Sequence, residues 1–209
     1  MRLGISTGGG DAPGLNAVIR SAVLSALSRN WEVLGIKRGF AGLLGDDDVV
    51  SLTRESVRGI AHLGGTILRT TNRGNPFAWP KPRGDGTYEE IDRSNELISN
   101  ARQLGIDAII TIGGDGSLAI AEQLAAKGMR MVGVPKTIDN DVAGTDFTFG
   151  FFTAVERATQ AMDMLRGVDY NPVTINQITW QVGSLQEVGD AARWLSERGA
   201  PLQRVGRDM

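Results

Sequence analysis

Three apolar runs in this chain each end in a loop of glycine and charged or hydroxyl residues, and this repeated arrangement constrains the fold most. The run and loop pairs are residues 2–7 with 8–14, 106–112 with 113–117, and 129–134 with 135–141. Open α/β sheets bind ligands just outside the carboxyl ends of their strands. The three loops therefore predict one shared cleft that handles phosphate and a metal ion.

Segments of helical periodicity separate the apolar runs. Strands are predicted at Arg2–Ser6, Glu32–Lys37, Val49–Leu52, Ala108–Ile112 and Met131–Val134, and helices at Leu15–Ser28, Tyr88–Leu104, Ser117–Lys127 and Phe152–Leu165. Strands that alternate with helices indicate an α/β fold with a mostly parallel sheet and helices on both faces. The stretch Thr70–Gly86 is rich in Gly, Pro, Asn and Arg, which favours a loop over the cleft.

Composition excludes several classes of function. The formal net charge is −2, which gives no electrostatic reason to expect nucleic acid or an anionic membrane as a partner. The chain has no cysteine and one histidine, so thiolate and histidine-rich metal sites are excluded within one copy. No apolar run approaches the ~20 residues of a membrane span, and the N-terminus lacks a signal-peptide pattern. A cytoplasmic location is the expectation.

The first two loops have the chemistry of phosphate binding. A glycine-rich turn that opens a helix points backbone N–H groups and the positive end of the helix dipole at a ligand, as expected for residues 8–14. In Gly-Gly-Asp-Gly-Ser, Gly114 and Gly116 allow the backbone to approach a polyphosphate, and Asp115 is a candidate Mg²⁺ ligand. Ser117 is a candidate N-cap. The alternative is a pair of ordinary strand–helix turns.

The third loop, Pro-Lys-Thr-Ile-Asp-Asn-Asp, carries the catalytic candidates. Asp139 is the candidate general base for phosphoryl transfer to a hydroxyl, and Asp141 would hold the acceptor or shift the pKa of Asp139. Thr137 is a hydroxyl donor, and Lys136 would offset charge on the transferring group. The alternative is a solvated acidic turn. Arg73, in the loop at 70–86, could reach a phosphate or lie in solvent.

In this order the loops resemble those of the phosphofructokinase family. The similar segments are GGGDAPGLNAVIR (8–20), GGTIL (64–68), TTNRGNPF (70–77), IGGDGS (112–117) and PKTIDNDVAGTDFTFGFFTA (135–154). The resemblance covers about residues 1–167. It implies a large α/β domain and a glycolytic, allosterically regulated kinase that phosphorylates fructose 6-phosphate with a phosphoryl donor and Mg²⁺. It also implies a homo-oligomer.

The resemblance carries roles to individual positions. Gly10 matches a nucleotide-phosphate glycine, Arg73 a donor-phosphate contact, Asp115 the metal-linked aspartate, and Gly116 and Ser117 donor-binding positions. Thr137, Asp139 and Asp141 match the sugar-phosphate and catalytic positions, with Asp139 as the base.

Two positions bear on the donor. Gly116 resembles the ATP-using members, because a small residue leaves room for the nucleotide, whereas aspartate there resembles the pyrophosphate users. Lys136 is typical of pyrophosphate users but also occurs beside glycine in ATP-using branches. ATP is the expected donor, and pyrophosphate is the alternative. Arg69 stands where the family usually has glycine.

The resemblance ends near residue 167, so the expected organisation is a truncated large domain at 1–167 and a strand–helix–strand tail at 168–209. Residues 174–207 faintly resemble the start of a vicinal-oxygen-chelate module. The expected function is ATP-dependent phosphorylation of fructose 6-phosphate, impaired by the missing half. The alternatives are a non-catalytic nucleotide-binding fragment or subunit, and a kinase of the NAD kinase or diacylglycerol kinase type, which shares the Gly-Gly-Asp-Gly loop alone.

Overall fold

The computed structural model describes residues 1–45, 48–71 and 74–166. The strands are β1 (Arg2–Thr7), β2 (Glu32–Ile36), β3 (Val49–Ser51), β4 (Trp79–Pro82), β5 (Tyr88–Ile91), β6 (Ala108–Gly113), β7 (Met131–Thr137) and β8 (Phe149–Gly150). The helices are α1 (Leu15–Leu27), α2 (Ser94–Gln103), α3 (Asp115–Ala126) and α4 (Phe151–Arg166), and a 3₁₀ turn spans Gly39–Leu43. The five predicted strands are all present.

The main sheet has the strand order β3-β2-β1-β6-β7-β8. Its pairings are parallel except for β3, which runs antiparallel to β2 at the edge. The chain builds outward from β1 through β2 to β3 and then returns to build outward on the other side from β6. The order therefore reverses between β1 and β6, and in open α/β sheets ligands bind at such a switch point.

Successive side chains along the strands point to opposite faces of the sheet, and an apolar layer lies on each face. Leu3 and Ile5 of β1 pack with α1 in one buried cluster. On the opposite face, Ile36 and Ile109 pack with α2 and α3 in a second cluster. Helices cover both faces of the sheet, so the predicted α/β class is confirmed.

The predicted helix from Tyr88 is wrong in its first turns. Residues 88–91 form β5, which pairs with β4 in a two-stranded antiparallel hairpin that occupies part of the predicted loop. The helix begins only at Ser94, because the Asp92 carboxylate accepts hydrogen bonds from the Ser94 N–H (2.8 Å) and hydroxyl (2.5 Å) and so opens the first turn. The Cζ atom of Arg93 lies 5.1 Å from the centroid of the Trp79 ring, and this cation–π contact links the hairpin to the start of the helix.

Internal contacts divide the chain after Gln160, and Met1–Gln160 forms one compact unit that contains the sheet. The predicted boundary near residue 167 stays a prediction. The predicted tail at 168–209, with its vicinal-oxygen-chelate resemblance, lies outside the described residues. Among the helices that the structure describes, none has the length and apolar character to cross a bilayer.

Candidate functional site

The first two glycine loops lie against each other where β1 and β6 end. The Gly8 N–H donates to the Ile112 carbonyl at 2.9 Å, so the loop after β1 continues the ladder onto β6. The Ser117 side chain fills the space beside both glycines: a Cβ added at Gly113 would lie 2.5 Å from Ser117 Cβ, and one added at Gly8 would lie 3.2 Å from it. Glycine is needed here for close approach.

Lys136 brings the third loop to the first. It lies near the end of β7, is 4% exposed, and its Nζ donates a hydrogen bond to the Gly10 carbonyl. A Cβ at Gly9 would lie 3.7 Å from the same Nζ. Burial lowers the pKa of Lys136, while the negative charges of Asp11 and Asp139 act in the opposite direction. The ammonium group thus lies beneath the phosphate-type loop rather than in solvent.

The acidic side chains follow directly after Lys136. The Asp139 N–H donates to Thr137 Oγ1 at 3.0 Å, and Thr137 Oγ1 in turn lies 3.5 Å from Asp139 Oδ2. Asp139 and Asp141 are exposed, so a bound substrate could come within hydrogen-bond reach of either carboxylate. The influence of Asp139 on Lys136 indicates that the catalytic candidates share one region.

Asn140 shapes the candidate acidic loop, a role that its sequence context did not predict. Its backbone has φ 54°, in the left-handed region that asparagine tolerates better than most residues. Its Oδ1 accepts the Thr148 N–H at 2.9 Å, which ties the acidic loop to the segment before β8. The signal available in the sequence was an asparagine between two aspartates, a residue that often closes a turn through its own side chain.

The start of α3 differs from its prediction. The helix begins at Asp115, two residues before the predicted start, and the N-cap position is Gly114, which has extended backbone (φ −84°, ψ −171°) and no side-chain cap. Ser117 is inside the first turn and is not the N-cap. Its side chain packs closely against Gly8 and Gly113 instead. The first-turn amide groups are therefore uncapped by side chains, which suits an anionic ligand.

Asp115 is exposed in that first turn, and a Cβ at Gly116 would meet no atom within 4 Å. The described residues contain no cluster of three or more His, Cys, Asp or Glu side chains that could hold a metal ion. A single carboxylate fits Mg²⁺, which takes one or two protein carboxylates and completes its shell with water and phosphate oxygens. Such a site would form together with its phosphate ligand.

A fourth segment, residues 69–71, runs along the first glycine loop. The Thr70 hydroxyl donates to the Gly9 carbonyl, and the Gly9 N–H donates to the Thr71 carbonyl at 3.3 Å. Gly10 itself is exposed, with no atom near the position of a Cβ, so its backbone is accessible to a ligand. Arg73, the predicted donor-phosphate contact, lies outside the described residues.

Comparison with known proteins identifies the family of the chain. A family profile described as Phosphofructokinase matches residues 2–169. The chain belongs to the phosphofructokinase family. It is 49% identical over 179 residues to the ATP-dependent 6-phosphofructokinase of Chloroflexus aggregans, covering 85% of this chain and 49% of that one. It is 47% identical over 182 residues to ATP-dependent 6-phosphofructokinase 1 of a Synechocystis species, with the same coverage of both chains.

The fold has solved counterparts in the same family. Phosphofructokinase from Pichia pastoris, in the T-state, superposes with a TM-score of 0.69 at 28% identity, covering 81% of this chain and 19% of that one. The chain spans about half the length of the curated phosphofructokinases that it matches. The sequence-based recognition of the phosphofructokinase family is confirmed.

Proposed function

We propose that this phosphofructokinase-family chain carries the donor-binding and catalytic elements for phosphoryl transfer from ATP to the 1-hydroxyl of fructose 6-phosphate. The observation that carries the proposal is the meeting of Lys136, from the third loop, with the Gly8–Gly10 loop at the point where the strand order reverses. A phosphate loop, a cation and two carboxylates next to one another are the parts that such a transfer needs.

The donor would lie over the first two loops. The accessible backbone at Gly10 and the amide groups at the start of α3 face its phosphates, with Gly114, Gly116 and Ser117 forming that start. The open space at Gly116 leaves room for the nucleotide, which favours ATP over pyrophosphate. Two of the relatives that support this choice carry the name ATP-dependent 6-phosphofructokinase. Arg73 would add a cation from the neighbouring segment.

Asp115 would hold Mg²⁺ together with phosphate oxygens, and the ion would neutralise charge that develops on the transferring group. The buried Lys136 supplies positive potential from beneath the loop, where its fixed hydrogen bond to Gly10 requires no rearrangement during reaction. On the acceptor side, Asp139 removes the proton of the sugar hydroxyl, and Thr137 and Asp141 orient the sugar.

The chain spans about half the length of the curated relatives that it matches. An assay of these 209 residues alone would lack any acceptor contacts that the relatives make from their unmatched half, which would raise KM and, by loosening the reacting geometry, lower kcat. The competing proposal is a nucleotide-binding fragment or subunit, which would bind Mg-ATP and leave fructose 6-phosphate in solution. The exposed positions of Asp139 and Asp141 suit either proposal, so a direct assay is needed.

The test is fructose 1,6-bisphosphate formation by the purified chain, measured in a coupled assay, together with calorimetry of Mg-ATP and fructose 6-phosphate binding. We expect slow turnover that Asp139→Asn lowers by at least about a hundredfold, while Mg-ATP affinity stays within twofold. Mg-ATP binding without turnover would favour the fragment. Absence of Mg-ATP binding would overturn both.

Regulation and assembly stay predictions. Arg20 is half-buried on α1, the helix that the family resemblance associates with effectors, and it lines a surface groove with Leu24, Arg54, Arg58 and one carboxylate, Glu55. We propose that this cationic groove takes an anionic effector of the enzyme, that the native state is a homo-oligomer, and that the protein works in the cytoplasm.

A further inference from the structure

Backbone strain near the first glycine loop concentrates on two arginines. Among the described residues that are not glycine, Asn30, Arg38, Arg69 and Asn140 have left-handed backbones, with φ between 54° and 58°. Asparagine adopts this region readily because its short side chain can hydrogen-bond to the nearby backbone, whereas for arginine the conformation is sterically unfavourable. Within the described part of the chain, Arg38 and Arg69 are therefore the two residues with a long side chain in this unfavourable conformation, and such strain collects at functional sites.

Arg38 has a structural reason for its conformation. Its guanidinium pairs with Asp48, and its N–H donates to the Leu68 carbonyl at 2.9 Å. Arg69 is exposed, and within the part of the chain that the structure describes its guanidinium forms no hydrogen bond or ion pair. Because the Arg69 guanidinium has no partner among the described residues, it is available to bind a ligand.

The backbone of Arg69 is fixed beside the phosphate loop. Its N–H donates to the Thr66 carbonyl at 3.1 Å, and its carbonyl accepts the Thr7 hydroxyl at 2.8 Å. The hydroxyl of the next residue, Thr70, donates a hydrogen bond to the Gly9 carbonyl. These three hydrogen bonds hold the backbone of Arg69 at the carboxyl end of β1, one residue from a direct contact with the loop that would bind the donor.

The charges around the loop call for an accessible cation. Asp11 lies within the loop, Asp115 starts α3 and Asp139 acts on the charge of Lys136, and all three are exposed whereas Lys136 is buried. A polyphosphate bound at this loop would be repelled by these carboxylates unless cations offset them. The planar guanidinium of arginine is well suited to bidentate phosphate contacts.

We propose that Arg69 binds the phosphate chain of the donor, as a cation supplied from a strained position. This inference rests on the proposed ATP-binding function. It predicts that the chain keeps an unfavourable backbone at residue 69 because the side chain contributes to donor affinity.

The test is calorimetry of Mg-ATP and of fructose 6-phosphate on wild type, Arg69→Gly, Arg69→Lys and Arg69→Ala, with thermal melts of each. Arg69→Gly should weaken Mg-ATP binding roughly tenfold, as loss of one charge-assisted contact does. It should keep or raise the melting temperature, because glycine relieves the left-handed strain. Arg69→Ala should lose the same affinity without that relief, and Arg69→Lys should lose less.

Arg38→Gly is the matched control, since it removes the other strained arginine, and its Mg-ATP affinity should stay within twofold of wild type. Equal Mg-ATP affinity for Arg69→Gly and wild type would overturn the Arg69 inference and leave the proposed function standing. Weaker binding of fructose 6-phosphate alone would also overturn it, because the cation would then serve the acceptor. A wild type that does not bind Mg-ATP would overturn the proposed function and this inference together.

Discussion

At the scale of single residues, the candidate site contains a buried lysine, Lys136, whose charge is costly to remove from water on folding. Lys136 is 4% exposed, and burial lowers its pKa below the ordinary value of 10.5. The hydrogen bond to Gly10 and the charges of Asp11 and Asp139 offset part of the cost of removing the ammonium group from water. We therefore expect Lys136 to serve the proposed phosphoryl transfer rather than stability.

Lys136→Met should raise the free energy of unfolding at pH 7 and abolish phosphoryl transfer. Between the lowered pKa of the folded state and 10.5, the unfolded wild type binds more protons than the folded wild type, so its stability rises with pH. Methionine has no such dependence. Urea denaturation from pH 7 to pH 10 should therefore show the advantage of the variant shrinking as pH rises, and parallel curves would contradict a depressed lysine pKa.

The residue types of the third loop predicted that it would follow a strand, and its catalytic roles stay predictions. Thr137 is the last residue of β7, three residues beyond the predicted strand end, and its Oγ1 accepts the Asp139 N–H. The role of Asn140 was not readable, because its contact to Thr148 joins residues eight apart through a left-handed turn that leaves no periodic signal.

At the scale of elements, the start of α3 depends on glycine for two different reasons. Gly113 lies where a Cβ would overlap Ser117, whereas Gly116 faces open space in the first turn. The two glycines of this short motif therefore have different roles. Gly113 permits close packing of β6 on the helix, and Gly116 leaves room beside the exposed helix terminus.

Gly113→Ala should destabilise the protein by about 1–3 kcal/mol, the usual cost of forcing a methyl group into a packed position. Gly116→Ala is the control, since it should leave the free energy of unfolding unchanged or raise it by about 0.5 kcal/mol through helix propensity. Chemical denaturation measures both. Equal stability of the two variants would mean that Ser117 rotates away at little cost.

The elements most dependent on local periodicity were predicted well, and the hairpin was not. β1, β6 and α1 are buried runs of clear period, so the sequence alone located them. β4 and β5 are mostly exposed, and their strand conformation depends on pairing with each other and on the Arg93–Trp79 contact. Residues 88–91 lack a buried face that would distinguish strand from helix in sequence.

At the scale of the whole molecule, the candidate site exists only once the sheet is complete. Its loops follow β1, β6 and β7, which come from widely separated parts of the chain and lie side by side in the sheet. A ligand that bridges these loops binds the folded state alone, so its binding free energy adds to the stability of the fold.

Mg-ATP at one hundred times its dissociation constant should therefore raise the free energy of unfolding by about 2.7 kcal/mol. Gly116→Asp, which puts a carboxylate where the nucleotide phosphates would lie, should lose most of this gain while it unfolds like wild type without ligand. Denaturation curves with and without Mg-ATP measure the effect. An unchanged wild-type midpoint in the presence of Mg-ATP would refute donor binding at these loops.

The sequence by itself determined the α/β class, the main strands and which loops carry glycine, acid and cation, because those follow from periodicity and residue chemistry. It could not determine that Lys136 reaches Gly10, that Ser117 packs between two glycines, or that Arg69 holds a left-handed backbone beside Thr7. Those facts depend on the strand order, in which β1 lies between β2 and β6. Pairing over a hundred residues of separation is set by the packing of the whole sheet, and no local pattern encodes it.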